Sequence, residues 1–268
     1  MSHQNYIIRG GIEGRERLRV LSRVMQPTTH ALLERAGLRP AMACLEIGCG
    51  SGDLAFDMAH MVGPFGKVLG TDIDETKILL ARSEAASLGL ENVEFQFSDI
   101  SKEHPHPDFD LVHARFVLTH LSDPSRGLAN MRDSLRPGGL AVVEDIDFRG
   151  CFCYPANAAF DAYVDLYTRT VAKRGADANI GPRLPSLMVG AGFDDVQMHC
   201  VNPAGNDGEV KLLAPITLEN IVDSVAAEGL ATIAELRRLV AELYEFARTP
   251  GTVVSVPRIV EAWGRSRE

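Results

Sequence analysis

A glycine-rich segment between a strand-like run and a helix-like run places the strongest constraint on the fold of this chain. Residues 46–52 read Glu-Ile-Gly-Cys-Gly-Ser-Gly. The apolar run at 42–47 has the length of a short buried strand, and residues 51–61 carry apolar side chains at helical spacing. Glycine allows the backbone to approach a ligand closely, and N–H groups at a helix N-terminus attract polar or anionic atoms. The segment therefore predicts a ligand-binding turn that joins a strand to a helix.

The segments after this turn alternate in the way that is typical of a doubly wound α/β fold. Further strands are predicted at 67–73, 93–97, 108–117, 140–145, 193–201 and 252–263, and helices at 75–88, 124–135, 157–174, 184–191 and, in two pieces, 217–248. Alternating strands and helices produce a parallel sheet with right-handed crossovers. We predict a Rossmann-like α/β fold with a mostly parallel sheet of seven strands.

Composition excludes several classes of function. The formal net charge of -9 argues against a nucleic-acid partner, since phosphate binding requires clustered lysine and arginine. There is no apolar run of membrane-spanning length and no signal-peptide core, so we expect a cytoplasmic protein without a membrane partner. The five cysteines lack the spacing of a zinc site, and we expect no metal.

The two common nucleotide-binding motifs fit the glycine turn poorly. Counted from Gly48, the dinucleotide pattern G-x-G-x-x-G places Asp53 at the last glycine position, where a carboxylate would face a pyrophosphate. No lysine follows Gly52, so the phosphate-binding loop of nucleotide hydrolases is also absent. Tyr163 is followed four positions later by Tyr167 instead of lysine. An NAD-dependent oxidoreductase is therefore an alternative that these residues disfavour.

An acid, Glu46, stands two residues before the pattern G-x-G-x-G. In this respect the chain resembles the class I methyltransferases that depend on S-adenosylmethionine (SAM), whose first motif is an acid followed by these glycines. The resemblance covers residues 45–145, because Asp72 after the second strand, Asp99 after the third and Leu-Arg-Pro-Gly-Gly at 135–139 match later motifs in the same order. It implies SAM as cofactor and S-adenosylhomocysteine (SAH) as product.

The resemblance also implies a role for each matched position. Asp72 would accept hydrogen bonds from the ribose, Asp99 would meet the adenine amino group, and Glu46 would meet the ammonium of SAM, whose carboxylate suits the N–H groups of the turn. The residues predicted to bind SAM are Tyr6, Arg9, Glu46, Gly48, Cys49, Gly50, Gly52, Asp72, Ile73, Asp99, Ile100 and Arg115. Alternatively, Glu46 is a strand-end carboxylate bonded to nearby backbone, and Asp74 is expected to be a helix N-cap.

We predict one domain over residues 1–268, with a helical leader at 1–40, a SAM-binding core at 41–149 and helical cover insertions at about 150–186 and 214–248. The start of the leader, with Tyr6 and Arg9, resembles segments that fold over SAM in methyltransferases of small molecules. A solvated, flexible start is the alternative. The chain is expected to act as a monomer or a homodimer.

Two residues are candidates for catalysis on the acceptor side. His120 and Asp145 follow the fourth and fifth strands, where the family places residues that face the acceptor, and a hydroxyl acceptor would benefit from a base. A packing histidine and a structural strand-end acid are the alternative interpretations. Aromatic residues of the cover favour an apolar or aromatic small molecule that is methylated on oxygen, nitrogen or carbon. Aminopropyl transfer and a non-catalytic subunit with this fold remain as further alternatives.

Overall fold

The structure is a computed structural model that describes residue 8, residues 11–102 and residues 108–267. The helices are α1 Gly11–Ala36, α2 Asp53–Val62, α3 Glu75–Leu88, α4 Pro124–Asp133, α5 Ala158–Lys173, α6 Leu184–Gly190, α7 Leu213–Ala227 and α8 Ile233–Arg248. The strands are β1 Ala43–Ile47, β2 Lys67–Asp72, β3 Val93–Phe97, β4 Phe109–Arg115, β5 Leu135–Asp147, β6 Cys153–Tyr154, β7 Phe193–Val201, β8 Ala204–Gly205, β9 Val253–Ser255 and β10 Arg258–Ser266.

The main sheet has seven strands in the order β3-β2-β1-β4-β5-β10-β7, which confirms the predicted fold class. Strands β1 to β5 run parallel to one another, and β10 runs antiparallel to both β5 and β7. The strand order changes direction between β1 and β4. In open α/β sheets a crevice forms at such a switch point, outside the carboxyl ends of the strands, and ligands bind there.

Both faces of the sheet are buried because successive residues of a strand point to opposite sides. Cys44 and Leu111 belong to the cluster under α2 and α3, whereas Leu45 and Val112 belong to the cluster under α4 and α6. All four side chains are inaccessible to solvent. The central strands are therefore held in a layer between helices, and their carboxyl ends stay in fixed relative positions.

A third apolar cluster lies above the carboxyl ends of the strands. It joins α5, α7 and α8 to parts of α1 and β5. Strands β6, β9 and β8 form a separate three-stranded sheet beside these helices. The part of the chain that the structure describes contains no helix that is both long and apolar enough to cross a membrane.

The C-terminal region differs from the prediction of one closing strand at 252–263. It forms two strands, β9 in the small sheet and β10 in the main sheet. Pro257 lies between them, and proline has no N–H group to contribute to a continuous ladder. The fifth strand is also longer than predicted, since β5 begins at Leu135 and ends at Asp147.

The first helix, α1, is attached to α3 on one side and to the segment before α7 on the other. Arg15 and Arg19 form ion pairs with Glu84 on α3, the latter at 2.9 Å. On the other side, Arg23 forms an ion pair with Glu209 at 2.6 Å, just before α7. These contacts fix the helix across the open end of the parallel strands.

Candidate functional site

The glycine turn after β1 has a backbone that requires glycine. Gly48, Gly50 and Gly52 all have positive φ, at 69°, 57° and 91°, a region that residues with a side chain avoid. A Cβ atom at Gly48 would lie 2.5 Å from Cγ2 of Val117, and one at Gly52 would lie 2.8 Å from the ring of Phe56. The turn therefore packs closely against Val117 and Phe56, and the space on its outer side is open.

That space is a cavity of about 370 Å³ at the carboxyl ends of β1 and β4. The predicted SAM-binding residues on its wall are Glu46, Gly48, Cys49, Gly50, Asp72, Ile73, Asp99, Ile100 and Arg115. Gly52 does not line the cavity and is packed against aromatic rings instead. Tyr6 and Arg9 lie outside the described residues, although Ile8 between them reaches the wall. Residues from the ends of several strands therefore line the same crevice.

Glu46 is the most unusual charged group of this wall. Its side chain is 4% exposed, and its Oε2 atom has no hydrogen-bond partner among the described residues. Burial raises the pKa of this carboxyl to about 8, although the nearby positive charge of Arg115 acts in the opposite direction. A buried carboxylate without a partner is costly, so the site favours a ligand that brings a cationic donor to Glu46.

Asp72 at the end of β2 is held in a fixed orientation. One oxygen accepts a hydrogen bond from the Gly50 N–H at 2.9 Å, and the other accepts from the Asp74 N–H at 2.9 Å. Each oxygen keeps a further lone pair for a hydroxyl donor. Asp74 itself caps α3, since its side chain accepts from the Thr76 and Lys77 N–H groups. Both acids line the cavity, and Asp74 is in addition the N-cap of α3.

The N–H groups of the turn differ from expectation, because several of them bond within the protein. Gly50 donates to Asp72, Cys49 donates to the Thr71 carbonyl oxygen at 2.9 Å, and Gly52 donates to the Cys49 carbonyl oxygen at 2.9 Å. In this conformation those three groups stabilise the turn. The predicted hydrogen bonds from the turn to a ligand carboxylate are therefore limited to the other N–H groups of the segment.

The Asp99 side chain forms the far end of the cavity and is anchored by the residues that follow it. Its Oδ1 accepts from the Ser101 N–H at 3.0 Å and from the Ser101 hydroxyl at 2.6 Å. Lys102 forms an ion pair with Oδ2 at 3.0 Å. Ile73 and Ile100 add apolar surface on the same wall. A flat heterocycle with a polar edge would match this combination.

Arg115 lies at the other end, beside Glu46. Its Nη1 donates to the Thr29 hydroxyl at 3.0 Å, and that hydroxyl donates to Glu144 at 3.0 Å, so α1 and β5 position the guanidinium. The guanidinium carbon is 5.9 Å from the centre of the Phe116 ring. Phe116 has a φ of 57°, which is unusual for a bulky residue and marks a constrained position beside the site.

His120 is on the cavity wall, as predicted, in the short 3-10 turn Leu118–His120 after β4. It is 9% exposed. Burial lowers the pKa of its ring to about 3, and the positive charges of Arg17 and Lys77 lower it further. The ring is thus neutral at physiological pH and can accept a hydrogen bond, but its surroundings oppose the uptake of a proton.

Asp145 does not reach the cavity, which corrects its predicted position facing the acceptor. Its side chain is completely buried. One oxygen accepts from the Thr119 N–H at 3.0 Å and the other from the Ile146 N–H at 2.9 Å. Burial raises its pKa to about 7, and these backbone bonds act against that shift. Asp145 supports the turn that carries His120 and does not line the cavity.

Aromatic side chains close the cavity on the side of the cover. Phe148, which follows β5, stacks on Tyr167 of α5 with ring centres 4.0 Å apart and an angle of 7°. Tyr163 meets Phe148 edge to face at 5.9 Å. All three rings line the cavity and are almost completely buried. They form a rigid apolar wall opposite the glycine turn.

Comparison with known proteins identifies the family. A family model described as a methyltransferase domain matches residues 38–175, which include the glycine turn, Asp72, Asp99 and helix α5. The chain belongs to the class I SAM-dependent methyltransferases. It is an enzyme of the transferase type, and its cofactor is SAM, as the sequence predicted. The NAD-dependent alternative is therefore set aside.

Among curated relatives, this methyltransferase is 32% identical over 188 residues to the ubiquinone/menaquinone biosynthesis C-methyltransferase UbiE of Pseudomonas fluorescens, with 62% of this chain and 71% of that protein covered. Two solved structures show the same fold at low identity. Phosphoethanolamine N-methyltransferase 2 of Haemonchus contortus, in complex with SAM, has a TM-score of 0.59 and 17% identity, with 90% and 53% covered. The [4+2]-cyclase SpnF has a TM-score of 0.57 and 18% identity, with 90% and 82% covered.

The residues of the cavity fit SAM. The buried Oε2 of Glu46 without a partner suits the ammonium, and Arg115 beside it suits the carboxylate of the methionyl part. Asp72 has acceptor capacity for the ribose hydroxyls, and the end of the cavity around Asp99 suits adenine. A Cβ atom at Gly48 would clash with the side chain of Val117, which also lines the cavity.

Several residues of the cavity wall were not predicted as site residues, among them Arg17, Lys77 and Thr217. Arg17 on α1 lines the cavity and is only 8% exposed. A signal for it exists, because Arg17 lies four and eight positions before Leu21 and Met25, two apolar residues that also line the cavity. Residues at this spacing share one helix face. A charged residue within an apolar stripe therefore marked a position that faces the cavity instead of solvent.

Proposed function

We propose that this methyltransferase transfers the methyl group of SAM to a small, largely apolar aromatic molecule. The observation that carries the proposal is the continuity of one cavity from the glycine turn to the aromatic wall of Phe148, Tyr163 and Tyr167. Buried aromatic rings recognise flat apolar ligands by area and by edge-to-face or stacked contact. The helices α1 and α7 border the same space, which disfavours a folded macromolecule as acceptor.

The similarity to UbiE supports an acceptor of this size. That relative is named for carbon methylation in ubiquinone and menaquinone biosynthesis, and this chain covers 71% of its length. We therefore place phenols and hydroquinones first among the acceptors to be tested. Methylation on carbon, oxygen or nitrogen is compatible with the apolar wall. The net charge of -9 disfavours nucleic acid.

The proposed catalytic contribution of the protein is positioning and exclusion of water. Bound SAM supplies an electrophilic methyl group on a sulfonium. Glu46, Asp72 and Arg115 would fix the cofactor, while the aromatic wall would hold the acceptor in line with that methyl at a distance of about 3 Å. Opposite charges are neutralised during this transfer, so a dry apolar pocket favours it. His120 would accept a hydrogen bond from the acceptor.

The cofactor part of the proposal is tested by calorimetric titration of SAM. We expect micromolar binding to the unaltered protein and at least tenfold weaker binding to Asp72→Ala, since the ribose would lose its acceptor. Asp161→Ala is the matched control, because it removes an exposed carboxylate from α5. Equal affinity of Asp72→Ala would contradict the proposed ribose contact.

The acceptor part is tested by transfer of tritiated methyl from SAM to a panel of phenols and hydroquinones, with a basic peptide and an oligonucleotide as competitors. We expect label in small aromatic molecules only. Tyr167→Leu should lose most of this turnover and retain SAM binding, whereas Tyr154→Leu, which alters a ring that is 68% exposed, should behave like the parent. Label that appears only in the peptide or the oligonucleotide would refute the proposal.

A further inference from the structure

Arg17 is a buried positive charge on the cavity wall, as is Lys77 of α3. Arg17 is 8% exposed, and its guanidinium is permanently charged. Its Nε donates to the Thr217 hydroxyl on α7 at 3.1 Å. Within the described ranges no carboxylate forms an ion pair with it. The remaining guanidinium N–H groups belong to a side chain whose accessible surface faces the cavity.

The other arginines of the same helix behave differently. Arg15 and Arg19 pair with Glu84, and Arg23 pairs with Glu209. These three side chains are more exposed than Arg17 and hold the helix to its neighbours. A buried charge without a counter-charge is strongly unfavourable, much more so than an exposed one. Arg17 is therefore the arginine of α1 that is suited to meet a charge supplied from outside the protein.

Arg17 lies on the acceptor side of the cavity. Its charge lowers the pKa of His120, and it opposes the rise in the pKa of Tyr163 that burial causes. Thr217, which accepts the hydrogen bond from Arg17, is also hydrogen-bonded to the Tyr163 hydroxyl. The cation that acts on Glu46 is instead Arg115. The two arginines thus serve different ends of the cavity.

We propose that the methyl acceptor carries a carboxylate and that Arg17 binds this group between Thr217 and the aromatic wall. The inference rests on the proposed methylation of an aromatic small molecule and specifies its charge. A planar guanidinium matches a carboxylate through two parallel hydrogen bonds. The apolar rings of Phe148 and Tyr163 exclude water around this pair, which strengthens it.

The test compares two probes of the same shape, 1-hydroxy-2-naphthoate and 1-hydroxy-2-naphthamide, by calorimetry on the SAH-saturated protein. We expect the anion to bind at least about tenfold more tightly than the amide, which equals about 1.4 kcal/mol. In Arg17→Gln the two affinities should agree within about twofold, and Arg17→Lys should restore part of the preference. Arg126→Gln, which removes an exposed arginine of α4, should leave the preference unchanged.

The SAH affinity and the unfolding temperature of the ligand-free protein are measured for the parent and for Arg17→Gln. Arg17→Gln should keep the SAH affinity, and its unfolding temperature should not fall, because the substitution removes a buried charge. Equal affinity of the parent for both probes, or an unchanged preference in Arg17→Gln, would overturn the inference and leave the proposed function in place. A loss of SAH affinity in Arg17→Gln would assign Arg17 to the cofactor instead. Binding of neither probe would contradict the aromatic acceptor itself.

Discussion

Replacing Glu46 by glutamine is expected to stabilise the ligand-free protein as the pH rises. Burial raises the pKa of this carboxyl from 4.5 to about 8 in the folded protein. An acid with a raised pKa retains its proton in the folded state and loses it in the unfolded state, so it favours unfolding between these two pH values. For one such group the free energy of unfolding changes by at most about 1.4 kcal/mol per pH unit. From pH 5 to pH 7 the parent should lose roughly 2–3 kcal/mol relative to Glu46→Gln.

The same substitution should have the opposite effect on SAM binding. The ammonium of SAM requires an ionised partner, so Glu46 has to release its proton when the cofactor binds. Below the pKa of about 8 the affinity of the parent should therefore rise with pH, by up to about tenfold per unit. Glu46→Gln should bind SAM at least about tenfold more weakly at pH 8 and should lose this pH dependence.

Both effects can be measured with urea unfolding and calorimetry at pH 5, 6, 7 and 8. Glu91→Gln is the control, because it removes an exposed carboxylate and should follow the parent in both assays. The reasoning is refuted if the difference in unfolding free energy between parent and Glu46→Gln is constant with pH. It is also refuted if Glu46→Gln binds SAM as tightly as the parent.

Three other predictions follow from the geometry of the site. Gly48→Ala should destabilise the protein by about 1–3 kcal/mol more than Gly63→Ala in urea unfolding, because both residues have a φ of 69° but only the first Cβ would meet Val117; equal losses would contradict this. Asp145→Ala should cost roughly 1–3 kcal/mol by leaving buried backbone N–H groups without an acceptor, and an unchanged unfolding free energy would argue against that role. The His120 ring should remain neutral down to about pH 4 in NMR titration, and a midpoint near 6.5 would contradict its burial.

The parallel core and the cofactor end of the site were predictable from sequence because their determinants are local. A short apolar run, three glycines and the following helix are contiguous in the chain. The φ values at the three glycine positions are positive, and this conformation requires glycine. Asp72 is the last residue of β2, and Asp99 comes two residues after the end of β3. Since the carboxyl ends of parallel strands meet at one edge, counting strands is sufficient to bring these residues together.

The acceptor end was not predictable in the same way because it is assembled from distant segments. His120 follows β4 and Asp145 lies near the end of β5, yet only the packing of the chain directs Asp145 toward backbone N–H groups and His120 toward the cavity. Pro257 divided a run that its apolar composition presented as one strand. A local sequence pattern does not specify the direction in which a side chain points at the edge of the sheet.

By itself, the sequence determined the doubly wound sheet and the glycine turn, since each depends on residues whose spacing along the chain sets their spacing in the fold, and the resemblance of its motifs to class I methyltransferases implied the SAM-dependent chemistry. Only the tertiary structure decided which charges are buried without a partner. Glu46 and Arg17 look like ordinary charged residues in the chain, but burial makes one a weak acid and leaves the other a cation with no carboxylate partner in the described part of the protein. Burial and the placement of counter-charges are properties of the whole fold, and no short segment specifies them.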